Sequence, residues 1–428
     1  MSSSLDTQQH NIPKDRLFNP YRLPSTDSAK SLVRDVLSQL MEYESHLGLR
    51  KRKRKAADQQ SFEALVTSLV CDLVHIHLSA PERMIHISLS KRTQGRIKRY
   101  HAYSFSKTLP DVLQCMASPE MGFVHLEKGR RGHFGEGKQT TILPGPRLLS
   151  RIKAAEIELG DLSVDIHQET IILKQSKGAH WDKGEWVDYQ DDRTTVEYRD
   201  HMLRINQWLA DADLHCDLFD DSVIDVSDRL LRRIFNNGSF EQGGRLFGGF
   251  WQGMSKQQRK GNLFINGSPI VTLDFSQAGP MIAYSLAGAT PPSDDAYAIP
   301  WYSTPKNRKS VKMVFNALLY SGKVPTRFPK GTRDGFDKKA TFQTLMEKVA
   351  EVHQPIAHLF GTGVGFRIMF MESQILVKAL LDCIDHGIVA LPVHDALIVP
   401  KEKAEEVKGI MLESFKEVTG IDGMVELE

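Results

Sequence analysis

Two aspartates lie in strand-like runs where a carboxylate is costly. Asp274 ends the run Pro269-Ile270-Val271-Thr272-Leu273-Asp274-Phe275-Ser276-Gln277. Asp395 interrupts Ala390-Leu391-Pro392-Val393-His394-Asp395-Ala396-Leu397-Ile398-Val399-Pro400. A carboxylate in such apolar, β-branched surroundings is expensive to bury unless it is paired or binds a metal. Set side by side in one sheet, the two can hold a pair of divalent cations, an arrangement suited to phosphoryl transfer. Taken singly, each also fits a turn or helix-cap aspartate. Between them lies a basic segment, residues 307–322, in which Arg308, Lys312, Asn316 and Tyr320 recur every four residues. At about 3.6 residues per turn these form one slowly drifting stripe on a helix. Val311, Val314, Phe315, Leu318 and Leu319 fall off that stripe and can face a core. The stripe offers two cations, an amide and an aromatic hydroxyl to one ligand, charge for phosphates and a ring for a base or sugar. An amphipathic helix with a solvated basic face is the plainer alternative.

The elements that must position these groups are spread along the chain. Before Asp274, residues 232–251 are dense in Gly, Arg and aromatics, including Gly243-Gly244-Arg245-Leu246-Phe247. Gly-rich turns let a backbone approach a phosphate or another strand closely. The segment fits either a nucleic-acid contact through Arg245 or a glycine-rich hairpin over an aromatic cluster. Upstream, residues 29–48 predict an amphipathic helix with Leu32, Val33, Val36, Leu37, Leu40 and Met41 on one face. Residues 60–79 predict a second helix, Met84 to Leu89 a strand, and Leu109 to Ala117 a third helix. Residues 122–127 and 140–143 predict two strands joined by a basic tip carrying Arg130, Arg131 and Lys138. A helix followed by such a hairpin resembles a winged helix-turn-helix, whose wing would set these cations against a phosphate backbone. An accessory α+β domain with a solvated hairpin is the other reading. Residues 150–225 predict a strand at Thr170 to Lys174, a Gly/Trp-rich loop to Trp186, and a helix from about Thr194 to Leu209.

The acidic runs and the basic helix, in this order, resemble motifs A, B and C of family A DNA polymerases and the related single-subunit RNA polymerases. Asp274-Phe275-Ser276-Gln277 is similar to the family's Asp-Tyr-Ser-Gln, and His394-Asp395 to its Val-His-Asp-Glu. Arg308, Lys312 and Tyr320 match the Arg-x3-Lys-x7-Tyr of its fingers helix. Phe366-Arg367 through Glu372-Ser373-Gln374-Ile375 resembles the helix that precedes motif C and touches the primer-template minor groove. Gly243-Gly244-Arg245-Leu246-Phe247 loosely resembles the Gly-Arg-Val-Tyr segment before motif A in the RNA enzymes. The likeness covers roughly residues 230 to 428. It implies that Asp274 and Asp395 bind two Mg²⁺ ions, with Mn²⁺ as a substitute. It implies that Arg308 and Lys312 meet the triphosphate, with Lys312 the better proton donor because its pKa is tunable. By the same likeness Tyr320, Asn316 and Gly279 border the nucleotide, while Arg245, Arg367, Gln374 and His394 border the nucleic acid.

The departures from the pattern are as specific. The family's DNA enzymes usually carry Glu five residues after the motif A Asp, where it excludes a ribose 2′-hydroxyl; here that position is Gly279. The aromatic expected four residues after the fingers Lys is Asn316, with Phe315 one position early. The Gly expected directly after the Tyr stands at Gly322, and the acid expected after His-Asp is Ala396.

At 428 residues the chain should form two or three domains, and 41% apolar residues support real cores. A net charge of +2 is too small to argue nucleic-acid binding by itself. Positive charge is instead clustered at residues 50–55 and around 91–99, as phosphate contacts or as a solvated linker. The sequence predicts no membrane span. Four scattered cysteines, Cys71, Cys115, Cys216 and Cys383, offer no zinc cluster and fit a reducing, cytoplasmic setting. The expected fold is α+β: a right-hand polymerase palm with an antiparallel sheet and helical fingers at 230–428. A flexible arm is expected at 1–27, a helical, winged-helix-like nucleic-acid-binding domain at 28–152, and a connecting or thumb-like region at 153–229. The expected activity is template-directed nucleotidyl transfer to a primer 3′-hydroxyl by a DNA polymerase of replication or repair, of a mobile element or phage. Its partners would be primer-template DNA or RNA and nucleoside triphosphates. Alternatives are an RNA or primase-like polymerase with relaxed sugar selection, and a DNA-binding replication protein whose catalytic site has decayed.

Overall fold

In a computed structural model the described residues are 15–50, 52–90, 99–100, 102, 104, 107–130, 137–176, 184–217, 224–292 and 295–428. They form an α+β chain of two compact units, one made of residues up to 168 with 218–228, the other of 169–217 with 229–428. The expected connecting region at 153–229 is therefore divided between the units. Its middle part joins the second unit because residues 171–173 pair in parallel with 233–235.

The first unit opens with two short strands, β1 (Arg16–Leu17) and β2 (Arg22–Pro24). Part of the expected arm is thus structured, and the reason is a buried carboxylate. Asp72, fully buried, takes hydrogen bonds from Arg16 and Arg22 and from the Asn19 backbone. Helix α1 (Asp27–His46) is capped by the Thr26 hydroxyl and buries Leu32, Val33, Val36 and Leu40, most of the face read from the sequence. Helix α2 (Ala56–Ser79) is long and apolar enough to cross a membrane by length and composition, which the sequence reading had not singled out. However, 67% of its apolar window is buried, and Leu65, Val66, Leu69 and Leu73 belong to this unit's core. Next come β3 (Ile85–His86), shorter than expected, α3 (Leu109–Met116), and the hairpin of β4 (Val124–Glu127) and β5 (Thr141–Pro144). The hairpin does not stand alone as a wing, because it is half of a four-stranded sheet in the order β1-β3-β5-β4. Helix α4 (Pro146–Ala154) and strand β6 (Leu162–Val164), paired with β2, complete the unit.

The second unit begins with β7 (Ile171–Leu173), α5 (Arg193–Asp211) and β8 (Leu214–Cys216). The hairpin of β9 (Leu231–Asn236) and β10 (Ser239–Gly248) follows, with register shifts at Gly243. Gly244 has φ +79°, and a Cβ there would lie 2.7 Å from the Ser373 hydroxyl, so only glycine lets this strand meet the helix behind it. After α6 (Phe250–Gly253) and α7 (Lys256–Asn262) come β11 (Leu263–Ile265) and β12 (Ser268–Phe275). Helices α8 (Ala278–Leu286), α9 (Arg308–Tyr320), α10 (Phe342–Val352) and α11 (Gly365–Asp385) follow. The chain ends with β13 (Leu391–Val393), β14 (Ala396–Pro400), α12 (Ala404–Thr419) and β15 (Val425–Leu427).

The sheet that matters runs β13-β14-β12-β11-β8, with antiparallel pairing throughout, and β15 joins the same edge of β12 as β11. Strand β14 is buried along its whole length, as its Ala-Leu-Ile-Val run requires. Helix α11 packs against β10, α12, α8 and α5 and buries Ile368, Ile375, Leu376, Leu380 and Cys383.

Candidate active site

Strand β12 and the β13–β14 hairpin bring the two aspartates together. Asp274 pairs in register with Ala396 on β14, and Asp395 precedes Ala396 in the two-residue turn of the hairpin. His394, the other turn residue, is exposed and left-handed at φ +58°, as such hairpin turns require. The turn is held from below: the fully buried Trp251 donates its indole N–H to the Pro392 carbonyl at 2.9 Å, and the Gln252 amide donates to the same oxygen at 2.9 Å.

Asp274 is the perturbed group. Burial, with Asp395 and then Glu428 adding to it and Lys312 opposing, pushes its carboxyl from 3.8 up to about 6. Its Oδ1 is buried and has no hydrogen-bond partner among the described residues. On the other side of β12, Glu426 of β15 is the in-register partner of Asp274. Directly paired residues of antiparallel strands share a face, so Ala396, Asp274 and Glu426 form a row. The acid missing at Ala396 thus has a carboxylate neighbour two strands away, one that no local sequence signal announces.

Helix α9 buries Val311, Val314, Phe315, Leu318 and Leu319, the set that the helical spacing assigns to the core. Its other face carries Arg308 and Lys312, both exposed, and the half-buried Asn316 and Tyr320. Arg308 is held by Asp295 through two bonds, from Nε at 2.6 Å and from Nη2 at 2.9 Å. The Tyr297 ring lies 5.1 Å from the Arg308 guanidinium and 5.9 Å from the Lys312 ammonium. Neither Asp295 nor Tyr297 stands out in the sequence, because they reach the helix from the connection that precedes it. Tyr320 packs over Gly365, where a Cβ would lie 2.4 Å from its ring. Burial, reinforced by Glu372, pushes the Tyr320 hydroxyl well above its ordinary range, so it stays protonated.

Arg245, on β10, forms an ion pair at 2.6 Å with Glu372 of α11. Burial raises the Glu372 carboxyl, with Arg245 opposing and Asp395 reinforcing the rise. Behind this pair Arg233 is fully buried. It donates to the Gly244 carbonyl, the Ser373 hydroxyl and the Gln374 side chain, and its guanidinium lies 4.4 Å from the Tyr198 ring. Burial pulls its pKa down to about 10. Gln374, expected at a nucleic-acid surface, is half-buried, accepts from Arg233 and donates to the Tyr198 hydroxyl at 3.2 Å. Arg367 is exposed in the first turn of α11. Gly279 lies in the first turn of α8, and a Cβ there would meet nothing within 4 Å.

Asp274, Asp395, Lys312, Arg308, Tyr320 and Arg245 therefore share one region of the second unit, linked by the contacts and charges above. Arg130 is exposed in the first unit, where its backbone bridges Lys138. Arg131 lies outside the described residues, as do Lys91, Arg92, Arg96, Lys98 and Lys51 of the basic clusters.

Among the described residues no group of three or more His, Cys, Asp or Glu side chains could hold a metal ion. The donors at Asp274 and Asp395 are hard oxygens, and one of them, Asp274 Oδ1, is buried without a partner. They fit Mg²⁺, which is commonly held by one or two carboxylates together with substrate phosphates and waters.

No family model matches the chain, and no curated protein matches it. Among solved structures it aligns with the POL domain of Pol1 from M. smegmatis in complex with DNA primer-template and dNTP, at 11% identity and a TM-score of 0.32. That alignment covers 96% of this chain and 66% of the other, so the chain spans just under two thirds of that structure.

Proposed function

We propose that the chain is a template-directed nucleotidyltransferase, a family A-like DNA polymerase whose palm is the β12–β14 sheet and whose fingers helix is α9. The observation that carries this reading is the meeting of Asp274, on β12, with Asp395, in the turn of the β13–β14 hairpin, under the charge of Lys312. Two divalent cations, when bound, would acidify a primer 3′-hydroxyl and neutralise charge on the triphosphate. Asp274 and Asp395 would hold them, and the partnerless Asp274 Oδ1 is a donor waiting for such a ligand. Arg308 and Lys312, one turn apart on the exposed face of α9, bind the triphosphate tail. Lys312 is the proton donor to the pyrophosphate leaving group, since a guanidinium does not give up its proton. Tyr320, kept neutral by burial, packs beside the nascent base pair. Arg245 and Glu372 border the primer end, while Arg367 and His394 offer exposed polar groups to the duplex. In the first unit, the exposed Arg130 of the hairpin contacts a phosphate backbone.

The open space at Gly279 favours a second reading of the same chemistry, in which ribonucleotides are also accepted, as in an RNA or primase-like polymerase. Primer extension with labelled DNA and RNA primers, each with ribo- and deoxyribonucleotides, tests both. Extension by deoxyribonucleotides alone selects the first reading. Extension by both selects the second, and no extension of any primer contradicts the two together.

A further inference from the structure

We propose that Asp295 and Tyr297 are positioning residues that hold Arg308 in the geometry needed to grip a nucleoside triphosphate. The proposal rests on the reading of α9 as a triphosphate-binding helix. The Asp295 carboxylate takes the Nε and Nη2 donors of Arg308, a side-on bidentate pair along one edge of the guanidinium. The Tyr297 ring lies near the guanidinium at 5.1 Å. Nη1 has no hydrogen bond among the described residues, and the side chain is 45% exposed. One edge is thus engaged within the protein and the other is available to an anion. A long side chain fixed in this way has less rotamer freedom to lose when the ligand arrives.

The brace is itself braced. Between Asp295 and Tyr297, Ala296 donates its N–H to the Gln277 side-chain oxygen at 2.6 Å. The Ala296 carbonyl can only accept, so His353 Nε2, at 2.8 Å, must carry the proton. His353 Nδ1 then accepts from the Tyr284 hydroxyl at 2.9 Å. His353 is fully buried, and that burial lowers its pKa. Tyr297 packs edge-on against Phe315 of α9 at 5.8 Å, and its own N–H donates to the Asp295 carboxylate at 3.1 Å. The result is a rigid link from Gln277, three residues after Asp274, to the first turn of the basic helix. It ties the position of the triphosphate grip to the strand that carries the metal-binding carboxylate.

A carboxylate on Arg308 could instead compete with the triphosphate. The side-on geometry argues for orientation, since the competitor would have to cover the Nη1 edge as well. Equilibrium binding of a triphosphate analogue with a non-cleavable α–β linkage, to protein already carrying primer-template and Mg²⁺, decides between them. Asp295→Asn should weaken the analogue by roughly tenfold, the scale on which outer orienting partners act. It should leave primer-template affinity unchanged and barely affect a nucleoside monophosphate. In an Arg308→Ala background the same substitution should have no further effect. Tyr297→Phe, which keeps the ring, should bind like the parent, whereas Tyr297→Leu should resemble Asp295→Asn. Unchanged or tighter binding by Asp295→Asn overturns the proposal, as does an equal loss in the Arg308→Ala background. If Arg308→Ala alone binds the analogue like the parent, the failure lies with the triphosphate reading of α9 itself. Thermal melts of each variant separate loss of fold from loss of grip, and the Tyr297 pair keeps the test alive should Asp295→Asn not fold.

Discussion

Asp274 and Ala396 face each other across β12 and β14, and this register delivers Asp395, one residue earlier in the hairpin turn, to Asp274. A slip of one residue would turn every side chain of β12 to the opposite face. Leu273 and Phe275, buried on the face opposite Asp274, oppose that slip. The cost of the arrangement appears at Asp274, whose carboxyl is pushed up to about 6.

That shift sets a pH dependence. In metal-free protein the folded state binds the Asp274 proton more tightly than the unfolded chain does, so stability falls as pH rises from about 4 through about 6. Asp274→Asn should therefore raise the melting temperature in EDTA at pH 7.5, and the gain should fade near pH 4. Mg²⁺ must displace that proton, so its affinity should weaken as pH falls below about 6. Calorimetric melts and Mg²⁺ titrations across this range check both signs.

Lys312→Ala should slow nucleotide addition by about a hundredfold or more, the usual share of a general acid, while primer-template affinity stays within a few-fold. Single-turnover rates beside duplex titrations separate the two. A parallel fall in both would make the exposed face of α9 a backbone-binding surface.

Gly279→Glu should lower ribonucleotide incorporation relative to deoxyribonucleotide incorporation by roughly ten- to two-hundredfold, the range that pocket sterics supply. The open space at Gly279 means the substitution meets no neighbour in the protein, and its helical setting favours a side chain over glycine. Matched kcat/KM values for the two sugars are the readout.

Trp251→Phe should cost about 1–3 kcal/mol of stability, from a lost hydrogen bond to Pro392 and a small cavity at a fully buried site. Gln252 retains its bond to the same carbonyl, so the hairpin and its Asp395 should persist. Urea unfolding with residual activity below the transition checks this.

The sequence was most legible where the physics is local. Helical spacing identified the buried face of α9 residue by residue, because burial there follows from the helix period. The strands around Asp274 and Asp395 were legible for the same reason, as β-branched runs ended by polar turns. Contacts made at long range were not. Glu426 reaches the row of Asp274 only through the pairing of the C-terminal strand. Asp295 and Tyr297 meet Arg308 through a connection with no periodicity, and the bond from Arg233 to the half-buried Gln374 joins residues far apart in the chain. The structured segment at 16–24 was hidden as well, since it depends on Asp72, a buried acid inside an apolar helix.

In this reading Asp274 and Asp395 together hold the catalytic cations. That is tested most directly by single-nucleotide incorporation under single-turnover conditions with Asp274→Asn and Asp395→Asn, alongside primer-template binding. Each substitution should cut the rate by about a thousandfold or more, as losing several kcal/mol of transition-state stabilisation requires, and leave duplex affinity intact. Incorporation at the parental rate by either variant would contradict the assignment of that residue, and by both would contradict the account.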